Sequence, residues 1–149
     1  MIRILAHDFP DLPPAIVIHG PNEAEAALAP GLAVTLLSPA GAALSMGAPW
    51  WRALVAGART AFPATPAIDL VDCAASTAAA LAALRAGLRH IVLAADAPAH
   101  AIAERAAAEC AATLLAVRPP ALTLPPRPFS PRTGAQIRAW LMTDPRMMG

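Results

Sequence analysis

Short apolar runs alternate with stretches of helical period along most of the chain. Ala15-Ile16-Val17-Ile18 is an unbroken apolar run that stops at His19-Gly20-Pro21, which reads as a buried strand. Asn22 then caps a short alanine-rich helix to Leu28, with Glu23 and Glu25 in its first turn, where the helix dipole favours carboxylates. Pro30-Gly31 stops it. Ala33 to Leu37 is a second strand, ending at Ser38-Pro39, and Ala40 to Ala48 is a loop or a short helical turn. Pro49 opens a helix from Trp50 to about Ala61. Trp50, Leu54 and Ala58 form one apolar stripe of that helix, and Trp51, Val55 and Phe62 form the next, with Arg52 and Arg59 facing away.

The alternation continues. Ile68-Asp69-Leu70-Val71 is a third strand followed by Asp72-Cys73. Ser76 or Thr77 caps a helix to about Gly87, with Leu81, Leu84 and Leu88 on its buried side. His90 to Ala94 is a fourth strand. Asp96 caps the next helix and Pro98 opens it, with His100, Glu104 and Arg105 on the wet side and Ala99, Ala103, Ala106 and Cys110 as a small-residue face. Thr113 to Val117 is a fifth strand, and Ile2 to Leu5 could add an edge strand.

Near-continuous apolar strands separated by helices predict an α/β fold: a three-layer α/β/α domain with a mostly parallel sheet of four or five strands, flavodoxin-like or similar. The domain spans 1–117, with its core from Ala15 to Val117. Residues 118–149 read as a proline-rich extended arm with a short terminal helix at about Thr133 to Met142, whose apolar side is Ile137, Trp140 and Leu141. Such an arm wraps its own domain or grips a neighbouring subunit.

Composition narrows the function classes. The 149 residues are 57% hydrophobic and 14% charged, against about 25% charged on average, which favours a homo-oligomer as a way to cover surplus apolar surface. A net charge of +1 gives no electrostatic case for nucleic acid or an anionic membrane. There is no lysine, which removes Schiff-base chemistry, pyridoxal phosphate and the phosphate-loop GK[ST] motif, and no dinucleotide spacing is present. No cofactor is expected. Cys73 and Cys110 are too few for a disulfide framework and read as two buried free thiols of a cytoplasmic protein. The N-terminal stretch does not read as a signal peptide. Ala26 to Trp51 carries no charge, but Pro30, Gly31, Pro39, Gly41, Gly47 and Pro49 break it too often for a membrane span.

In parallel sheets, ligands sit beyond the carboxyl ends of the strands. That rule collects His19, Asn22, Glu23, Ser38, Gly41, Asp72, Cys73, Ser76 and Asp96 at one edge. His19, Asp72 and Cys73 are the catalytic candidates: a thiolate beside an imidazole is an activated nucleophile, and an aspartate could orient the ring. Asn22, Glu23, Ser38, Gly41, Ser76 and Asp96 are the ligand-binding candidates. Against the catalytic set, side chains alternate along a strand, so Asp72 and Cys73 should face opposite ways. Of the adjacent Trp50 and Trp51, one should reach the core and the other a rim or partner. The four histidines show no metal-ligand spacing, and no metal is expected.

Three readings follow. The favoured one is a non-catalytic binding, interaction or oligomerising protein. The second is a small-molecule-binding protein or enzyme acting at the carboxyl edge through His19, Asp72 and Cys73. The third is a STAS-like (anti-sigma-antagonist) or flavodoxin-like signalling module, on fold analogy alone, although a receiver-type module would want a late lysine that this chain lacks.

Overall fold

The computed structural model describes residues 12–126 and 128–143. The proposed edge strand at Ile2 to Leu5 lies outside the described residues. The elements are β1 (Ala15–Val17), α1 (Pro21–Leu28), β2 (Val34–Leu37), α2 (Ala42–Ser45), α3 (Ala48–Ala61), β3 (Ala67–Asp72), α4 (Thr77–Arg85), β4 (His90–Val92), α5 (His100–Glu109), β5 (Thr113–Leu115), β6 (Ala121–Thr123) and α6 (Pro131–Leu141). The fold is α/β with a parallel sheet flanked by helices, as the alternating pattern predicts, but the sheet has six strands rather than four or five, and all are parallel.

The sixth strand comes from the segment read as an arm. β6 pairs with β1, Ala15 opposite Ala121, and Ile137 and Leu141 of α6 enter the main core. The Trp140 indole N–H donates to the Ala15 carbonyl at 2.7 Å, which ties α6 to β1. This part of the chain therefore packs in cis.

Three local readings need correction. Gly20, not Asn22, is the N-cap of α1, because the Pro21 ring already holds a helical φ and starts the helix one residue earlier. Asp96 does not cap α5, nor does Pro98 open it. Ala99 takes a left-handed φ of 57° and breaks the run, so the helix begins at His100. Cys110 is exposed rather than buried, because it falls at the C-cap beyond the buried stripe of Ala103 and Ala107. Ser76 does cap α4, accepting the Ala79 N–H at 3.1 Å. Trp51 is fully buried while Trp50 is half-buried, the division expected of adjacent helical residues.

The strand order is β5-β4-β3-β2-β1-β6, so β5 and β6 stand at opposite ends. In a flat sheet five spacings would separate them by about 24 Å. The six Cα steps from Leu115 to Ala121 reach only about 22 Å when fully extended. The sheet must therefore curl, bringing its ends toward each other.

The two buried clusters fit this shape. The larger joins alternate strand residues, among them Ile16, Leu36, Val71 and Ile91, to buried faces of α1, α3, α4, α5 and α6. The smaller gathers Ala15, Leu37, Leu70, Val92 and Leu115 from the intervening strand positions, with Leu12 from the segment before β1 and no helix residue among its buried members. Leu37 and Leu70 are nevertheless 0% exposed, because the curl presses the concave face against itself. The buried Thr35 hydroxyl finds a partner there, donating to the Pro13 carbonyl at 2.8 Å.

Candidate functional site

The carboxyl edge of the strands is built from hydrogen bonds that begin at Asp72. This residue ends β3 on the concave side and is 3% exposed. Its backbone N–H donates to the Ser38 hydroxyl at 2.9 Å, which joins the ends of β2 and β3, and Ser38 in turn donates to the Pro39 carbonyl at 3.1 Å. Its Oδ1 accepts the Ala74 N–H at 2.7 Å and its Oδ2 accepts the Arg118 Nη1–H, also at 2.7 Å. Both carboxylate oxygens are thus occupied, the normal condition for a buried charge.

The loop after β3 is tight. Ala74 adopts φ 51°, a left-handed conformation uncommon outside glycine. Gly41 also has positive φ, at 67°, and a Cβ placed there would stand 3.9 Å from that of Ala74. Glycine is required at 41 by its backbone angle more than by lack of room.

The catalytic candidates are committed elsewhere. Glu23 reaches back from the first turn of α1 and accepts both the His19 backbone N–H and, at 3.1 Å, a contact from His19 Nδ1. That arrangement resembles a capping box and satisfies the helix terminus. Cys73 is 0% exposed and packs in the larger apolar cluster, on the side opposite Asp72, as strand alternation predicts. Burial, helped by the Asp72 charge, pushes its thiol up to about 12. A thiol pushed in that direction is the reverse of an activated nucleophile, which needs a lowered pKa. Asn22 and Asp96 are exposed, and Ser76 is spent on its helix cap.

Arg118 is the residue at this edge that the strand-end rule did not collect. The signal was present: Arg118 is the lone charge between Cys110 and Arg127, and it lies three residues past the end of β5. The proline-rich run that follows it reads as an arm, which hides its place beside the end of β3.

His100 pairs with Glu104 at 2.7 Å, and the two line an open groove of about 430 Å³ along α5 and β5 with Ala107, Ala108, Ala112, Leu114 and Ala116. A second groove, of about 480 Å³, is lined by Pro49, Arg52, Ala53, Ala56 and Ala86. Neither includes a candidate residue from the carboxyl edge. Among the described residues, no three His, Cys, Asp or Glu side chains converge as metal ligands, and no helix is long and apolar enough to cross a membrane. No protein-family model, curated protein or solved structure matches the chain.

Proposed function

We propose that this chain is a non-catalytic binding domain whose ligand contacts lie at the carboxyl edge of the sheet. The observation that carries this reading is the state of its candidate catalytic groups. The Cys73 thiol is buried with its pKa raised, His19 is engaged by Glu23, and both Asp72 oxygens are engaged, by Ala74 and Arg118. An enzyme using these residues would need the thiol exposed and the imidazole beside it.

The test is alkylation of the full chain with iodoacetamide at pH 7.5, read by mass spectrometry. One adduct on Cys110 is expected, with Cys73 labelled only after denaturation. Labelling of Cys73 in the native chain at the Cys110 rate would overturn the reading.

Assembly belongs to the same proposal. Leu44 and Met46, on or next to α2, are 59% and 54% exposed, the kind of apolar surface a second copy would cover. Light scattering should then give a mass above that of one chain, and a monomer at all concentrations would remove the oligomer from the proposal. Two free cysteines suit a reducing compartment such as the cytoplasm.

A further inference from the structure

The bonding around Arg118 is one-sided. Its side chain is 29% exposed, and among the described residues it makes one ion pair, through Nη1 alone, to Asp72 Oδ2. A guanidinium carries five N–H donors in a rigid fork, and a purely structural arginine-carboxylate pair commonly uses two of them in parallel. Here the contact is single-point: Arg118 reaches Oδ2 alone, while Oδ1 accepts the Ala74 N–H. Asp72 is itself held by the Ser38 hydroxyl at its backbone N–H, so the anchor is rigid. The result is a pre-oriented guanidinium with donors to spare, where the strand ends converge.

We propose that Arg118 forms an oxyanion-binding site at this edge, taking a small carboxylate or phosphate. Arg118 is the residue that contacts the ligand, and Asp72 is a positioning residue. This rests on the reading of the chain as a binding domain and names the ligand class of that same site. Two features of the geometry support it. The arginine is already ordered in the free protein, so little side-chain entropy remains to be lost on binding. Asp72 is the one carboxylate within ion-pair distance of Arg118 among the described residues, and it engages Nη1 alone, while the arginine side chain stays 29% exposed. A planar carboxylate matches the fork with two parallel N–H···O bonds, whereas phosphate offers more oxygens in a tetrahedral arrangement.

The experiment titrates the full chain with succinate and, separately, with inorganic phosphate. Ionic strength is held constant with chloride, and the melting temperature is followed by tryptophan fluorescence. A saturable rise in Tm is expected with at least one probe, and the comparison between them separates carboxylate from phosphate. The rise should vanish in R118Q and survive in R132Q, which alters an exposed arginine of α6. R118K keeps the charge but not the fork, and should bind about tenfold more weakly. It also serves if R118Q fails to fold. No saturable rise with either probe, or the same rise in R118Q or R118K as in the parent, would overturn the site. Native-state labelling of Cys73 would instead overturn the non-catalytic reading, so the two failures are told apart.

Discussion

At the scale of single residues, two aspartates of β3 show how environment sets the worth of a charge. Asp69 pairs with Arg59 at 2.8 Å, but the Arg59 side chain is 42% exposed and water screens the pair. Asp69→Ala is expected to cost under about 1 kcal/mol. Asp72 is buried, and Asp72→Ala would leave both the Ala74 N–H and the Arg118 guanidinium without their acceptor. That loss should reach about 3 kcal/mol. Urea denaturation of the two variants checks the contrast, and equal midpoints would contradict it. His90, the first residue of β4, supplies a pH dependence. Burial holds its pKa below the ordinary 6.5, with the Asp69 charge opposing and the Arg59 charge assisting. The folded chain prefers the neutral ring, so the unfolded chain takes up the proton first as pH falls. The contribution of His90 is complete above pH 6.5 and is lost as pH drops through that value toward the folded pKa. His90→Gln should flatten the stability profile below pH 6.5, and an unchanged slope would show that another group carries it.

At the scale of elements, β6 and α6 behave as one unit despite the prolines between them. Ser130 caps α6 by accepting the Thr133 N–H at 3.2 Å, and Pro131 follows at the position where its missing N–H costs nothing. The helix then delivers Ile137 at 1% exposure and Leu141 at 7% to the core. A chain ended after Arg118 loses this packing and also the strand that covers the outer edge of β1. We expect it to lose its cooperative thermal transition by circular dichroism and to aggregate in light scattering, since a bare parallel edge with apolar flanks invites association. A truncated chain that melts with the same midpoint as the full one would show that the unit is dispensable.

At the scale of the whole molecule, the curl of the sheet dominates. It explains why a cluster with no helix residue among its buried members is dry, and it makes Leu37 and Leu70 cross-strand neighbours inside a concave wall. Leu37→Ala and Leu70→Ala should each cost about 2–5 kcal/mol as cavities in a fully buried site. Because they share a register position, the double variant should show a coupling of at least about 0.5 kcal/mol in a mutant cycle. Strict additivity would mean that the two side chains do not meet. The strand order also bears on function. Flavodoxin-like sheets run 2-1-3-4-5, whereas β5 to β1 here run in unbroken sequence, which weakens the analogy to signalling modules of that layout.

The sequence by itself determined the elements that depend on local physics. Apolar runs such as Ala15–Ile18 and helical stripes such as Trp51–Val55 must be buried wherever they fall, so their existence, the α/β class and a cap at Ser76 or Thr77 could be read directly. Alternation alone also separated Asp72 from Cys73. What only the tertiary structure decided was distance across the chain. The strand order, the sixth strand hidden in a proline-rich stretch, and the meeting of Asp72 with Arg118, 46 residues apart, are contacts between distant parts of the chain, and that strand order in turn makes the sheet curl. That curl is set by how far a short connector can reach, a constraint that appears only once the strands on either side of it have found their places.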